Sequence, residues 1–416
     1  MKVIFLSISY SENDHISFYE ELLQEFVANG HEVFVACASE KRKERDTGIS
    51  DERGIHVLRI KTGNITGNGN MIEKGISTVM IDKQFQKAIS RYFSNEKFDL
   101  ILYPTPPITL VGTVAYLKKK SNAVSYLLLK DIFPQNAVDL GMLSTTGMKG
   151  IVYKVFRNKE KKLYKISDYI GCMSPANVKY VLKHNEFVKV GKIEVCPNCV
   201  KLLNDKHTIE EHREIRKKYQ IPVDKKVFVY GGNLGKPQGI DFFLSCLDAV
   251  KDIKDAFILV VGGGSEADKI KQFMSEHNIS NAMLLNSLPK TDYELLADAC
   301  DVGLVFLDYR FTIPNFPSRI LSYMQRSKPV LVSSDPNTDM GEIVEKNGFG
   351  WSCLSNNSGK FAECVKKALS ADLNKMGAEG RKYLENNYNV KNGYEIIMKH
   401  FKNSRGRKNG CKKNMC

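Results

Sequence analysis

Five groups of residues have the types and spacing to act on a phosphorylated substrate or on a second substrate beside it. Pro317-Ser-Arg319 places a helix start, a hydroxyl and a guanidinium together. Free backbone N–H groups at Ser318–Leu321, the positive end of a helix dipole and the cation Arg319 suit a diphosphate there, and the structural alternative is a helix capped by Ser318 with a surface arginine. Gly231, Gly232, Gly235 and Gly239, between a strand and a helix, let the backbone approach a ligand closely, and Lys236 can supply a second cation; a structural turn without a ligand fits the same residues. In Val260-Val-Gly-Gly-Gly-Ser-Glu266 the glycines read as tight packing, with Gly263 facing a cleft. Asp131, after the apolar Leu127-Leu-Leu-Lys130, either faces a cleft or caps a turn. In Ser11-Glu-Asn-Asp-His-Ile-Ser17, His15 could bind substrate or handle a proton, while an N-cap role accounts for Asp14 or Ser17. The chain contains no Asp-x-Asp pair of the kind that holds a divalent metal on a nucleotide-sugar diphosphate, so Lys236 and Arg319 are expected to supply the positive charge.

The elements that must position these residues alternate between two periods. Lys2–Ser9 is an apolar strand, Phe18, Leu22, Leu23, Phe26 and Val27 recur at helical spacing, and Asn29-Gly30 ends the helix before the strand Glu32–Cys37. Further strands are expected at Ile55–Ile60, Leu100–Tyr103, Val124–Leu129, Tyr169–Met173 and Lys192–Cys196. After the charged, helix-prone stretch Thr208–Tyr219 the pattern restarts with Val227–Tyr230, a helix near Ile240, and strands at Phe257–Val261, Met283–Leu285, Val302–Phe306 and Pro329–Ser333. This order predicts an α/β chain with two doubly wound, Rossmann-like domains facing across a cleft. The expected division is 1–200, 201–385, and a C-terminal helix and basic tail over 386–416 that could pack back on the first domain.

At 416 residues, 43% hydrophobic and 26% charged, the chain is long enough for two cores and is not predominantly disordered. No apolar run is long enough to span a membrane, and the start lacks a signal-peptide pattern. Ten scattered cysteines, including Cys37, Cys172, Cys246 and Cys300 in apolar segments, read as reduced thiols of an intracellular protein. Cys196-Pro-Asn-Cys199 has metal-like spacing, but no second Cys or His pair accompanies it convincingly, so it reads as a strand end entering a turn. The net charge of +14 is concentrated in Lys149–Lys165, where seven Lys or Arg stand against Glu160 alone, and in a tail with seven more from Lys399 onward. With Ile151, Val152, Val155 and Phe156 interleaved, the first stretch suits an anionic bilayer, a polyanion, or a solvated helix face.

Several segments, in order, resemble the retaining family-four glycosyltransferases of the two-Rossmann-domain (GT-B) type, in the bacterial branch that builds O-antigen and capsule repeat units. Asn29-Gly-His-Glu-Val33 is similar to that family's Gly-His-x-Val turn, and Asp131-Ile-Phe-Pro134 to its Asp-x-x-Pro segment. Pro197-Asn198, Tyr230–Gly235 with Gln238-Gly239, and Pro317–Met324 with Lys328-Pro-Val330 resemble its later motifs. Leu288-Pro289 sits where the family contacts the donor base. The family's paired glutamates would fall on Pro314 and Ser322, so both carboxylates are absent; Ser322 keeps a hydroxyl for a ribose. Asn233 and Gln238 stand where many members carry Arg and Lys.

The resemblance implies a metal-independent glycosyltransferase without a cofactor. It would move a hexosyl or N-acetylhexosaminyl group from a nucleotide sugar, a UDP-sugar by expectation, to a lipid-linked saccharide in O-antigen or capsule synthesis, with retention. Asp131 and His15 would be the catalytic residues. Gly232, Asn233, Lys236, Gly263, Leu288, Pro317, Ser318, Arg319 and Ser322 would bind the donor. The expected location is cytoplasmic, peripheral to the inner face of the cell membrane, with no nucleic-acid partner. Two alternatives stay open at this level: a UDP-sugar epimerase of the same architecture, and a non-catalytic sugar-nucleotide or polyanion-binding protein.

Overall fold

The computed structural model describes residues 1–11, 16–65 and 71–410; of 71–76 and 402–410 it describes the backbone alone. The chain divides into two compact units, Met1–Lys201 with Val390–Cys416, and Leu202–Asn389.

The first unit is built on strands β1 (Lys2–Ser7), β2 (Glu32–Glu40), β3 (Gly48–Glu52), β4 (Ile55–Thr62), β5 (Leu100–Thr105), β6 (Val124–Leu129), β7 (Tyr169–Cys172) and β8 (Ile193–Val195). Their order is β3-β4-β2-β1-β5-β6-β7-β8, parallel except for the β3–β4 hairpin. The central strands are buried almost throughout because crossover helices cover both faces, which is why they are continuous apolar runs. The sequence reading missed β3. Its Gly-Ile-Ser-Asp-Glu is an exposed edge with no apolar side to betray it. The helix Phe18–Ala28 is capped by Ser17, whose Oγ accepts from the Glu20 N–H at 3.4 Å, and Gly30 takes the positive φ of 75° that ends it.

The helix Val390–Gly410 belongs to this first unit. Val390, Ile397 and Met398 share a core with Leu22, Phe26 and Cys199. His400 stacks on Tyr169 at 3.6 Å, and its Nε2 lies 2.7 Å from Glu194 Oε1. Cys196 and Cys199 are buried here; Gly393 leaves room for the Cys199 sulfur, and Lys130 Nζ donates to the Cys196 carbonyl at 2.6 Å.

The second unit carries β9 (Lys226–Gly231), β10 (Ala256–Val261), β11 (Ala282–Leu285), β12 (Val302–Phe306), β13 (Val330–Ser334) and β14 (Gly350–Leu354). All pairs are parallel, in the order β11-β10-β9-β12-β13-β14. Counted within the unit this is the 3-2-1-4-5-6 order of a doubly wound sheet. The strand order reverses between β9 and β12, so the crevice beyond their carboxyl ends is where such a sheet takes a ligand.

Candidate functional site

At that reversal a single side chain joins the strands. Tyr323, on the helix Arg319–Gln325, is fully buried and lies against Gly303, where a Cβ would come within 2.2 Å of the ring. Its hydroxyl lies 3.0 Å from the Val229 carbonyl and 3.4 Å from that of Leu304, and it accepts the Gly231 N–H at 3.3 Å. The helix is short, but Ile320, Leu321, Tyr323 and Met324 are all buried, so packing holds it where propensity alone would not.

One turn before Tyr323, this anchoring fixes Arg319. Its guanidinium lies over the Tyr230 ring at 4.1 Å, and a Cβ on Gly232 would sit 2.5 Å from its Nη2. Burial pushes the Tyr230 hydroxyl up, and the charge of Arg319 opposes that rise. No carboxylate among the described residues pairs with Arg319. By contrast, Arg310, on the loop that leads from β12 to this helix, is held by Asp308 through Nε at 2.9 Å and Nη2 at 2.7 Å. Burial works to raise the Asp308 carboxyl, but the Arg310 hydrogen bonds prevail and hold it below the usual range.

Beside this cation the glycine loops pack on one another by backbone contact. The Gly232 N–H donates to Val261 O and Leu234 N–H to Gly263 O, each at 2.9 Å, and Gly262 N–H donates to Leu285 O at 3.0 Å. Gly232, Gly262 and Gly264 have φ of 128°, 154° and 157°, and a Cβ at 262 would lie 1.9 Å from the Gly232 carbonyl oxygen. Gln238 ties the first loop: its Oε1 accepts from Gly235 N–H at 3.0 Å and from Asn233 Nδ2 at 3.4 Å.

The arrangement corrects the reading of the helix start. Ser318 stands at the N-cap position before Arg319, but its backbone is in the α region, not the extended conformation that aims a capping hydroxyl, and it makes no side-chain cap bond. Of the N–H groups from Ser318 to Leu321, that of Leu321 donates to Ser318 O at 3.1 Å and that of Ile320 turns toward Pro317 O at 3.4 Å. The positive charge at this crevice therefore rests more on the Arg319 side chain than on a helix N-terminus.

Residues 211–387 match the model of the family described as Glycosyl transferases group 1. The chain is a glycosyltransferase. It is 27% identical over 295 residues to the probable glycosyltransferase WbjE of Pseudomonas aeruginosa, covering 70% of this chain and 71% of that protein. It is 21% identical over 357 residues to the putative colanic acid biosynthesis glycosyl transferase WcaI of Escherichia coli, covering 83% and 86%. The structure of Anabaena HepE in complex with UDP-glucose superimposes with a TM-score of 0.69 at 12% identity, covering 97% of this chain and 100% of that one, which shows a shared fold.

The glycosyltransferase gathers the other sequence candidates unevenly. Gly232 and Arg319 meet directly, Pro317 and Ser318 precede Arg319, and exposed Gly263 approaches Ser287, next to half-buried Leu288. Lys236 is exposed, its ammonium with no hydrogen-bond or ion-pair partner among the described residues, and Ser322 is exposed one turn beyond Arg319. Pro314 is buried. In the first unit Asp131 follows β6, and both its carboxylate oxygens lie 2.9 Å from Asn136 Nδ2. Burial raises its pKa; hydrogen bonds from the Ile132 backbone and Asn136 limit the rise. His15 lies outside the described residues. Sequence reasoning missed Tyr230 and Tyr323 as parts of the site; Tyr323 stands four residues after Arg319, a helical spacing that could have flagged it.

Proposed function

We propose that this glycosyltransferase takes a UDP-sugar as donor and transfers the sugar, with retention, to a lipid-linked saccharide of a cell-surface polysaccharide. The observation that carries the donor reading is Arg319, a half-buried guanidinium with no carboxylate partner among the described residues, beside a glycine backbone at the ligand crevice of its sheet. As the glycosidic bond breaks, negative charge grows on the leaving diphosphate, and a pre-positioned cation stabilises that state more than the bound donor. Lys236 supplies the second charge, so the diphosphate needs no metal in this reading. Leu288 and Ser322 would contact the base and the ribose. The UDP-glucose bound by HepE and the colanic acid role in the name of WcaI support the substrate classes.

A thermal-shift panel of nucleotides and nucleotide sugars tests the donor, since ligands of the native state raise its apparent stability. UDP and one UDP-sugar are expected to shift the transition most; a larger response to guanosine or adenosine diphosphate would reject the uridine assignment.

Asp131 is proposed as the residue of the first unit that orients a sugar hydroxyl. Asp131→Asn should lower transfer about tenfold, the worth of one charge-assisted hydrogen bond, with little change in UDP affinity. Its raised pKa also predicts a sign. In the native state the ionised form is disfavoured, so stability is lost as pH rises above the ordinary value of 3.8, and Asp131→Asn escapes that loss. The variant should gain in melting temperature on the parent from pH 4 toward neutrality. A flat difference, with UDP affinity and transfer falling together, would assign Asp131 to a structural cap.

Acceptor delivery is proposed to use the helix Gly147–Ile166 as a membrane-docking surface. Met148, Ile151, Val152 and Val155 recur at i, i+3, i+4, i+7 and are 86%, 66%, 44% and 51% exposed. Lys149, Lys154, Lys162 and Lys165 are exposed on the same helix, while Glu160, Leu163 and Tyr164 face the core. Such a stripe, apolar with basic flanks, suits an anionic bilayer surface. No helix among the described residues is long and apolar enough to cross a membrane. The tail's side chains beyond Phe401 lie outside the described ones. Ile151→Glu with Val155→Glu should weaken sedimentation with phosphatidylglycerol vesicles at least about tenfold, given the cost of losing two buried aliphatic side chains. Unchanged sedimentation would remove this helix as the anchor.

A further inference from the structure

The histidines that the sequence leaves without a role come together away from the donor loops. His207, in the extended segment that opens the second unit, His212, on the helix Ile209–Lys218, and Asp298, the last residue of the helix Lys290–Asp298, present three ligand atoms within 4.8 Å of one another. Asp298 precedes β12 and Lys328 precedes β13, which places the cluster at the amino-terminal edge of the sheet. The glycine loops lie at the opposite edge.

The local chain is built to hold this geometry. Thr208 and Glu211 form a reciprocal capping box, with Thr208 N–H to Glu211 Oε2 at 2.6 Å and Glu211 N–H to Thr208 Oγ1 at 3.2 Å. The cap turns the chain so that both imidazoles meet one oxygen: His207 Nδ1 is 2.7 Å and His212 Nε2 is 3.2 Å from Asp298 Oδ2. The other carboxylate oxygen, Oδ1, lies 3.5 Å from Lys328 Nζ. All three side chains are largely buried, at 21%, 26% and 11% exposure, beside a pocket of about 600 Å³. The other acids of that pocket are matched within it: Asp205 with Arg326 at 3.0 Å and Glu385 with Arg381 at 2.7 Å.

We propose that His207, His212 and Asp298 bind a divalent transition-metal ion, Zn²⁺, with water from the pocket as the fourth ligand. Two imidazoles and one carboxylate select zinc over magnesium or calcium, which prefer all-oxygen sets. Tetrahedral bonds of about 2.0–2.1 Å put ligand atoms about 3.3–3.4 Å apart, so the His207 and His212 nitrogens need withdraw from Oδ2 by well under an ångström. Lys328 holds Oδ1 and leaves Oδ2 as a single, oriented ligand. The ion would clasp the segment Leu202–Thr208 to the body of the second unit. This proposal is independent of the donor assignment.

Full-length protein stripped with a chelator and titrated with Co²⁺ should take up one equivalent with a tetrahedral visible band and no thiolate charge-transfer band. Zn²⁺ should displace the Co²⁺, Mg²⁺ should not, and Zn²⁺ should raise the melting temperature. His212→Gln and Asp298→Asn should each weaken Zn²⁺ binding at least about tenfold. Absence of the band in the parent protein, a band of thiolate character, or a band unchanged in both variants would overturn the proposal. The parent titration decides even where a variant fails to fold.

Discussion

Arg319→Ala lowers kcat for sugar transfer by about 10²–10³-fold, the loss expected when a pre-positioned donor to a developing anion is removed. KM for the donor should change less, because the diphosphate gains charge as the bond breaks and Arg319 acts most strongly on that later state. The fold should survive. Among the described residues Arg319 has no carboxylate to leave stranded, and its stack on Tyr230 is worth only about 1 kcal/mol. Arg319→Lys should fall between the two, since an ammonium keeps the charge but loses the planar face that lies on the ring. Steady-state kinetics with a soluble acceptor analogue checks the series; turnover unchanged in the alanine variant would remove Arg319 from the mechanism.

Gly262→Ala should be damaging from a position buried in backbone packing. Its φ of 154° strains an L-residue, at about 1–3 kcal/mol, and its Cβ would meet the Gly232 carbonyl oxygen at 1.9 Å. Relieving an overpacked contact of this kind costs about another 1–3 kcal/mol and displaces the backbone of the Gly232 loop. Thermal unfolding should show a lower transition for the second unit, and nucleotide binding should fall with it, because Gly232 lies against Arg319. Gly263→Ala is the control, since nothing but Ser287 Oγ at 3.8 Å lies near its added carbon. Equal stability of the two variants would reject the close backbone packing as the reason for the glycines.

The strands were legible wherever burial on both faces demanded an unbroken apolar run, as in Val302–Phe306, where the expected and observed bounds coincide. They were illegible at the edges. Gly48–Glu52 is polar and exposed, and Gly350-Trp-Ser-Cys-Leu354 is only partly buried, so neither carries a period that marks a strand. At the site, the order of Pro317, Ser318 and Arg319 pointed to a helix start, yet Ser318 does not cap it. A hydroxyl's bonding depends on φ and ψ one residue either side, which composition does not specify.

The sequence by itself determined the alternation of strands and helices, the two Rossmann-like units and the loops where glycines and cations gather. Those features follow from periodicities a few residues long. Only the tertiary structure decided which cation is left to act. Arg310 lies in the loop after β12 and Arg319 opens the helix that follows it, but Asp308 neutralises the first while Tyr230 and Tyr323 position the second. It alone joined His207 and His212 to Asp298, 86 residues beyond His212. Charge pairing and ligand sets depend on through-space distances of a few ångströms between elements far apart along the chain, and no local pattern records those distances.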